Sequence, residues 1–329
     1  MEGIACPSDR RLLDDWQRDF PVTERPFAEL GEVLGLGEDE VIARLATMQG
    51  AGRVSRLGAT IAPNTVSAST LAAVAAPPNR VEEVAALIGA QPGVNHNYQR
   101  ENAWNLWFVA TGPDRAHVDT SLAHISEITG LRVLDLRLER PFNVDLGFRM
   151  TGPRCLHSPR KVNHSVLCEG DRDLLQILAA GMPLSPRPYS EIGLQLGWTG
   201  NDVTGRINTL LEAGVISRLG VIVRHRALGW SSNAMVVWDM PPEQIGRAGP
   251  ALAALEGVTL AYERRPVPGV WPYRLYNMVH ARSRSAAQEV IDAARALPEL
   301  KGARSKVLFS TRCFKQTGAL IARPDGKAA

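Results

Sequence analysis

The chain has 329 residues, of which 45% are hydrophobic and 22% charged. That length holds two or three ordinary domains, and that balance excludes global disorder. A net charge of +3 neither demands nor excludes nucleic acid, and scattered basic clusters would equally serve an anionic small molecule.

The predicted elements run as follows in chain order. Three helical segments open the sequence, at Arg11–Phe20, Phe27–Leu34 and Glu38–Gln49. Gly35 stands where a helix C-cap is wanted. A strand pair follows from Arg53-Val54-Ser55-Arg56-Leu57-Gly58, completing a winged helix-turn-helix pattern over residues 11–65. Residues 66–148 then alternate strand and helix as βαββαβ, the ferredoxin-like arrangement. Residues 149–169 carry prolines, glycines and basic residues and read as a linker.

The same order then returns. Helices are predicted at Asp171–Ala180, Tyr189–Leu196 and Asn201–Leu211, with Gly197 as the C-cap, giving a second winged helix over 170–228. Val215-Ile216-Ser217-Arg218-Leu219-Gly220 repeats the earlier Ser-Arg-Leu-Gly element. The second βαββαβ set fills 229–317. Its strands are Asn233–Met240, Val258–Arg264, Arg274–His280 and Ser305–Thr311, and its helices are Pro242–Leu255 and Ala286–Leu297. Gly93 to Tyr98 aligns with Gly257 to Tyr262, and Trp104–Trp107 with Tyr273–Tyr276, after an insertion around Pro266 to Trp271. Residues 318–329 read as a loose tail. The fold class is therefore α+β, a tandem repeat of winged helix-turn-helix plus ferredoxin-like domain.

Cys6, Cys155, Cys168 and Cys313 have no metal-ligand spacing, and free thiols in a reducing compartment are expected. Met1 to Leu13 has no apolar core of signal-peptide length, and no run of about 18 apolar residues occurs. The expected location is cytoplasmic, with no membrane partner.

A winged helix followed by βαββαβ resembles the Lrp/AsnC regulators, most of which bind DNA. The third helix of each repeat would then be the recognition helix. Here it carries Glu38, Asp39 and Glu40 against Arg44 in one copy, and Asp202 and Glu212 against Arg206 in the other. Phosphate contact needs the opposite sign, so DNA is not the expected partner. A transcription regulator and a silent ligand-binding subunit remain the alternatives to an enzyme.

The chemistry-bearing residues cluster on the second ferredoxin-like strand. His96, Tyr98 and Arg100 alternate onto one face, as do Tyr262 and Arg264 in the second copy. An acid/base group, a phenol and a guanidinium together suit an anion pocket better than a core. The pattern continues through Arg265, Pro266, Trp271, Tyr273 and Arg274 to Tyr276 and His280. The two motifs, H-N-Y-x-R and Y-x-R-R-P with W-P-Y-x-L-Y-x-M-x-H, resemble those of the sirohaem decarboxylases, in the fused NirD–NirL form of haem d1 biosynthesis.

That resemblance implies removal of carbon dioxide from acetate side chains of sirohaem, to 12,18-didecarboxysirohaem. It implies no cofactor, since the iron belongs to the substrate. His96, Tyr98 and Arg100 become the catalytic candidates, with His96 as proton donor or as a ligand of the substrate iron. Tyr262, Arg264, Arg265, Trp271, Tyr273 and Arg274 become substrate-binding candidates, with Arg218, Arg224 and His225 at the rim. Arginines would clamp carboxylates and aromatic rings would cover the macrocycle. His96 is replaced by Leu260 in the second copy, so the two sites are not equivalent. His280 is expected to be a core residue. The two copies would form an internal pseudo-dimer, and related decarboxylase subunits are possible partners.

Overall fold

The computed structural model describes residues 4, 6–144, 147 and 161–322. They fall into two compact units. One comprises residues 4–66, Gly147 and 161–229, and the other residues 67–144 and 230–322. Like parts of the two repeats are thus grouped: both helix-turn-helix segments in one unit, both βαββαβ segments in the other.

In the first unit, copy one supplies α1 (Pro7–Asp14), α2 (Pro26–Leu34), α3 (Glu38–Gly50) and β1 (Val54–Ile61). The first helix starts four residues before its expected start, because Pro7 is preorganised for the first helical turn. It also ends early: Asp15–Gln17 forms a 3-10 turn, with Trp16 outside helical geometry. Gly35 closes α2 at φ 67°, a left-handed conformation that glycine adopts at low cost.

The wing differs from the expected strand pair within each copy. Strand β1 pairs antiparallel with a strand of copy two, Ile216–Val223, with Gly58 opposite Gly220. Each copy thus gives one strand to a shared ribbon. The glycines are why this works. A Cβ on Gly58 would lie 2.3 Å from the Leu178 carbonyl oxygen, and one on Gly220 would lie 2.5 Å from that of Gln17. Each copy's opening helical segment therefore lies on the other copy's strand. The Phe20 N–H donates to Leu219 O, and the Met182 N–H to Leu57 O.

In the second unit, copy one provides β2 (Ala68–Val74), α4 (Val81–Gly89), β3 (Val94–Arg100), β4 (Leu106–Gly112), α5 (Arg115–Thr129), β5 (Leu134–Leu136) and β6 (Leu138–Asn143). Copy two provides three helices and a strand to the first unit: α6 (Asp171–Ala180), α7 (Pro188–Leu196), α8 (Gly200–Glu212) and β7, the ribbon strand just described. To the second unit it gives β8 (Ser232–Asp239), α9 (Pro242–Ala254), β9 (Val258–Arg264), β10 (Leu275–Ala281), α10 (Arg284–Arg295) and β11 (Arg304–Gln316).

The sheet order is β5-β2-β4-β3-β11-β8-β10-β9-β6. Each half has the ferredoxin-like order, and the halves exchange strands. β6 of copy one adds to β9, while the last part of β11 adds to β3. This is why β11 runs past its expected end at Thr311.

Two apolar clusters lie between each half-sheet and its own helices, around Phe108, Ile88 and Ile125 in copy one and Trp238, Leu252 and Ile291 in copy two. A third cluster mixes residues of both copies, including Leu71, Trp107, Met235, Tyr262 and Leu308. The start of the expected tail is also fixed. Thr317 N donates to Asn95 O at 2.8 Å, Leu320 N to the Thr111 hydroxyl at 2.9 Å, and Ile321 is buried. The rest of the tail, and linker residues 149–160, lie outside the described residues. Of the linker, residues 161–169 are ordered by a 3-10 turn at His164–Val166.

Candidate active site

The site is built first by a bulge. Strand β3 breaks register with β4 between Val94 and His96. Val94 and Asn97 therefore both turn toward α4, where the Asn97 amide donates to Ala85 O at 2.9 Å. His96, Tyr98 and Arg100 share the opposite face. The His96 and Tyr98 rings stack at 6.3 Å, and the Arg100 guanidinium lies 5.7 Å from the Tyr98 centroid.

Arg100 is only 6% exposed. Its Nη1 donates to Asn233 Oδ1 and to Leu308 O, each at 3.1 Å, and both acceptors are neutral groups of copy two. Among the described residues it has no carboxylate partner, and its buried Nε has no hydrogen-bond acceptor. Burial lowers its pKa to about 10, with the Tyr262 and Tyr98 phenols opposing the shift. The group stays cationic at neutral pH without a counter-charge, a state costly in a protein interior.

Arg264 is its counterpart in the repeat. Its Nη1 donates to Leu136 O at 2.7 Å, its guanidinium lies 4.6 Å from the Tyr262 centroid, and its buried Nε is likewise unpaired. Each arginine thus reaches the closing-strand carbonyl of the other copy, Leu308 in β11 or Leu136 in β5.

Other candidates are arranged differently from the sequence reading. Arg265 and Arg274 flank one carboxylate, Glu139, at 3.4 and 3.7 Å, so neither is a bare clamp. Trp271 and Tyr273 pack at 4.8 Å, and Trp271 sits 5.3 Å from Trp107. Trp271 is 2% exposed, with its Nε1 donating to the Tyr276 hydroxyl at 2.8 Å. The insertion folds back through a Val267–Trp271 bridge, and Trp271 packs against both Tyr273 and Trp107. Lys306 sits 5.7 Å from the Tyr273 centroid, a cation that pattern reading passed over.

His96, Tyr98, Arg100, Tyr262, Arg264, Arg265, Trp271, Tyr273 and Arg274 all belong to the sheet unit. Arg218, Arg224 and His225 belong to the helix-turn-helix unit. Arg218 is not a rim residue: it is buried, and its Nη1 donates to Gln17 O at 3.2 Å. Arg224 is exposed and leads into the 3-10 turn His225–Leu228, where His225 is half-buried.

The arginines of the third helices are committed to acids. Arg44 pairs with Asp9 and Glu40, and Arg206 with the buried Asp171. Asp202 completes a capping box with Thr199, which accounts for acid at the start of α8.

Sequence reading missed Asn233 and Thr259, which carry no recognisable motif. His280 is buried as expected, yet it is not apolar filling. Its Nε2 lies 2.7 Å from Asn233 Nδ2 and its Nδ1 2.7 Å from the Thr259 hydroxyl. Burial, aided by Arg100, lowers its pKa to about 4, so it is neutral at physiological pH.

A paired helix-turn-helix unit and a paired ferredoxin-like sheet, bearing a buried Arg100 and a half-buried Arg264 with no carboxylate partner among the described residues, define a fused, ligand-binding protein of the Lrp/AsnC type. Residues 66–142 and 227–315 match the AsnC-like ligand binding domain, and residues 9–54 and 171–216 match the sirohaem decarboxylase NirDL-like HTH domain. The chain is 53% identical over 315 residues to the sirohaem decarboxylase NirDL subunit of Paracoccus denitrificans, covering 95% of this chain and 97% of the relative. Its alignment with the sirohaem decarboxylase NirD subunit of Stutzerimonas stutzeri is 49% identical over 144 residues, 44% of this chain and 95% of that one. A crystal structure of the sirohaem decarboxylase NirDL in complex with an iron-uroporphyrin III analogue shares the fold, with TM-score 0.67 and 24% identity over 95% of this chain and 92% of that one. The chain belongs to the sirohaem decarboxylase family, in its fused NirDL form.

Proposed function

We propose that this chain removes carbon dioxide from acetate side chains of sirohaem, to 12,18-didecarboxysirohaem, at the face carrying His96, Tyr98 and Arg100. One observation carries the placement. Arg100 is a buried cation whose partners among the described residues are all neutral, so it is matched to a carboxylate brought by a substrate. Arg264 presents the same unfilled demand at the equivalent place in the other copy.

The reaction breaks the bond between the acetate methylene and its carboxylate. The electron pair stays on the methylene carbon, carbon dioxide departs, and a proton completes the methyl group. The macrocycle of the substrate spreads the developing charge. Arg100 fixes the carboxylate, and its low-polarity surroundings favour loss of a neutral product. His96, stacked on Tyr98, is the proton donor to the methylene carbon, and Tyr98 sets the ring's angle. The iron is substrate, and its chemistry is outside the role assigned to these residues.

Tyr262, Arg264 and Lys306 bind further carboxylates, while Trp271, Tyr273 and Tyr276 support that wall. Arg265 and Arg274 act only after exchanging Glu139 for a substrate carboxylate. We place the domain boundaries at 11–65, 66–148, 170–228 and 229–317. The chain works in the cytoplasm as its own pair of subunits, without DNA. Among the described residues Cys6 and Cys168 are free thiols, and no helix is long and apolar enough to cross a membrane.

The test is anaerobic incubation with sirohaem followed by product mass. Loss of one or two carbon dioxide units, slowed at least about a hundredfold by His96→Ala, is expected for a general acid. Tight binding without mass loss would overturn the activity. Full activity in His96→Ala would overturn the assignment of the donor.

A further inference from the structure

The two copies hold their site arginines differently. Arg100 Nη1 has two anchors, Leu308 O and Asn233 Oδ1. Arg264 has one side-chain hydrogen bond among the described residues, to Leu136 O. The extra anchor belongs to a chain of buried polar groups, Asn233, His280 and Thr259, on β8, β10 and β9.

Every proton in that chain has one consistent position. A guanidinium only donates, so Asn233 must turn its Oδ1 to Arg100. Its Nδ2 then faces His280 Nε2 at 2.7 Å, and Nε2 must accept. The imidazole proton is therefore on Nδ1, where it donates to Thr259 Oγ1 at 2.7 Å. The Thr259 hydroxyl donates onward to Met278 O at 3.1 Å. Thr259 stands at the β9 bulge and Met278 at the matching break in β10, so the irregular backbone terminates the chain.

The repeat supplies an internal comparison. Asn233 pairs with His280 across β8 and β10, as Ser69 pairs with Thr111 across β2 and β4. Thr259 corresponds to Asn95. In copy one these residues are used otherwise: the Thr111 hydroxyl donates to Gly93 O and accepts from Leu320 N. The Asn–His–Thr arrangement is therefore a feature of the Arg100 side alone.

Its chemistry has one further property. It fixes the direction of the guanidinium through neutral acceptors, leaving the positive charge uncancelled and Nε without a hydrogen-bond partner among the described residues. An aspartate at position 233 would still accept from Arg100, but it would neutralise the cation and would require His280 to present a proton on Nε2. We propose that Asn233, His280 and Thr259 are positioning residues that orient Arg100, still fully charged, toward a carboxylate of an anionic iron tetrapyrrole, and that they act only on the Arg100 side. This rests on the functional reading above.

The experiment uses the full chain and iron uroporphyrin as a non-reacting probe, followed by its absorption spectrum. Asn233→Asp should weaken binding at least about tenfold without lowering the unfolding temperature, because Arg100 gains an internal counter-ion. His280→Thr, which installs the copy-one residue, should weaken binding in the wild-type background and have no further effect in an Arg100→Met background. Nitrogen NMR of the unliganded chain should find His280 protonated at Nδ1 and not at Nε2.

Equal loss from His280→Thr in both backgrounds would overturn the proposal, since it would mark a general packing defect. So would a proton on Nε2, unchanged binding by Asn233→Asp, or no binding of the probe by the wild-type chain. Probe binding with the expected variant pattern, but no carbon dioxide released from sirohaem, would support the positioning role and sink only the decarboxylase reading.

Discussion

Arg100→Met separates the two things a buried arginine does. Burial lowers its pKa to about 10, which at ~1.4 kcal/mol per tenfold is a folding penalty of roughly 3 kcal/mol at neutral pH. The sign follows from the direction: the unfolded chain holds this proton more tightly, so the penalty is fully present below about pH 10 and fades only above it. Methionine removes the penalty but leaves Asn233 Oδ1 and Leu308 O short of a donor, at about 1–3 kcal/mol each. The terms nearly cancel, and the unliganded variant should stay within about 2 kcal/mol of wild type by denaturant unfolding. Binding has no such compensation. A charged hydrogen bond contributes about 1.5–3 kcal/mol, so affinity for iron uroporphyrin should fall about tenfold to a hundredfold or more. Destabilisation beyond about 4 kcal/mol with affinity intact would refute the reasoning and make Arg100 a structural residue.

Other outcomes follow from single contacts. His280 has its pKa lowered to about 4, so the unfolded state binds more protons between that pH and the ordinary imidazole range. Stability is therefore lost as pH falls through this window, by up to roughly 3 kcal/mol, and His280→Thr should lack that part of the acid dependence in paired pH-dependent unfolding curves. Gly58→Ala would drive a methyl group to 2.3 Å from Leu178 O, and should cost at least about 2 kcal/mol in thermal unfolding. Thr199→Ala opens the capping box of α8 and should cost about 1 kcal/mol by the same measurement.

The repeat was legible because short anchors such as Ser-Arg-Leu-Gly recur at matched places, and the alternation of β3 put His96, Tyr98 and Arg100 on one face. Strand exchange was not legible. Hydrophobic alternation marks a strand without naming its neighbour, so β1 pairing with β7 and β6 with β9 had no local signal. Charge signs misled at Arg265 and Arg274, because their common partner Glu139 lies more than a hundred residues away in sequence. Pattern alone offers Trp271 and Tyr273 as rings to cover a macrocycle, and nothing local announces that Trp271 packs on Trp107 of the other copy. Asn233 is an ordinary residue at the start of an apolar strand. Its importance comes only from the groups facing it on other strands, Arg100 and His280.

The most direct test of the account is anaerobic turnover of sirohaem in deuterium oxide, with the product read by mass and NMR. The account requires each lost carboxylate to leave a methyl group carrying one new deuterium, with the rate collapsing in both His96→Ala and Arg100→Met. Recovery of sirohaem unchanged, or decarboxylation at wild-type rate in both variants, would contradict it.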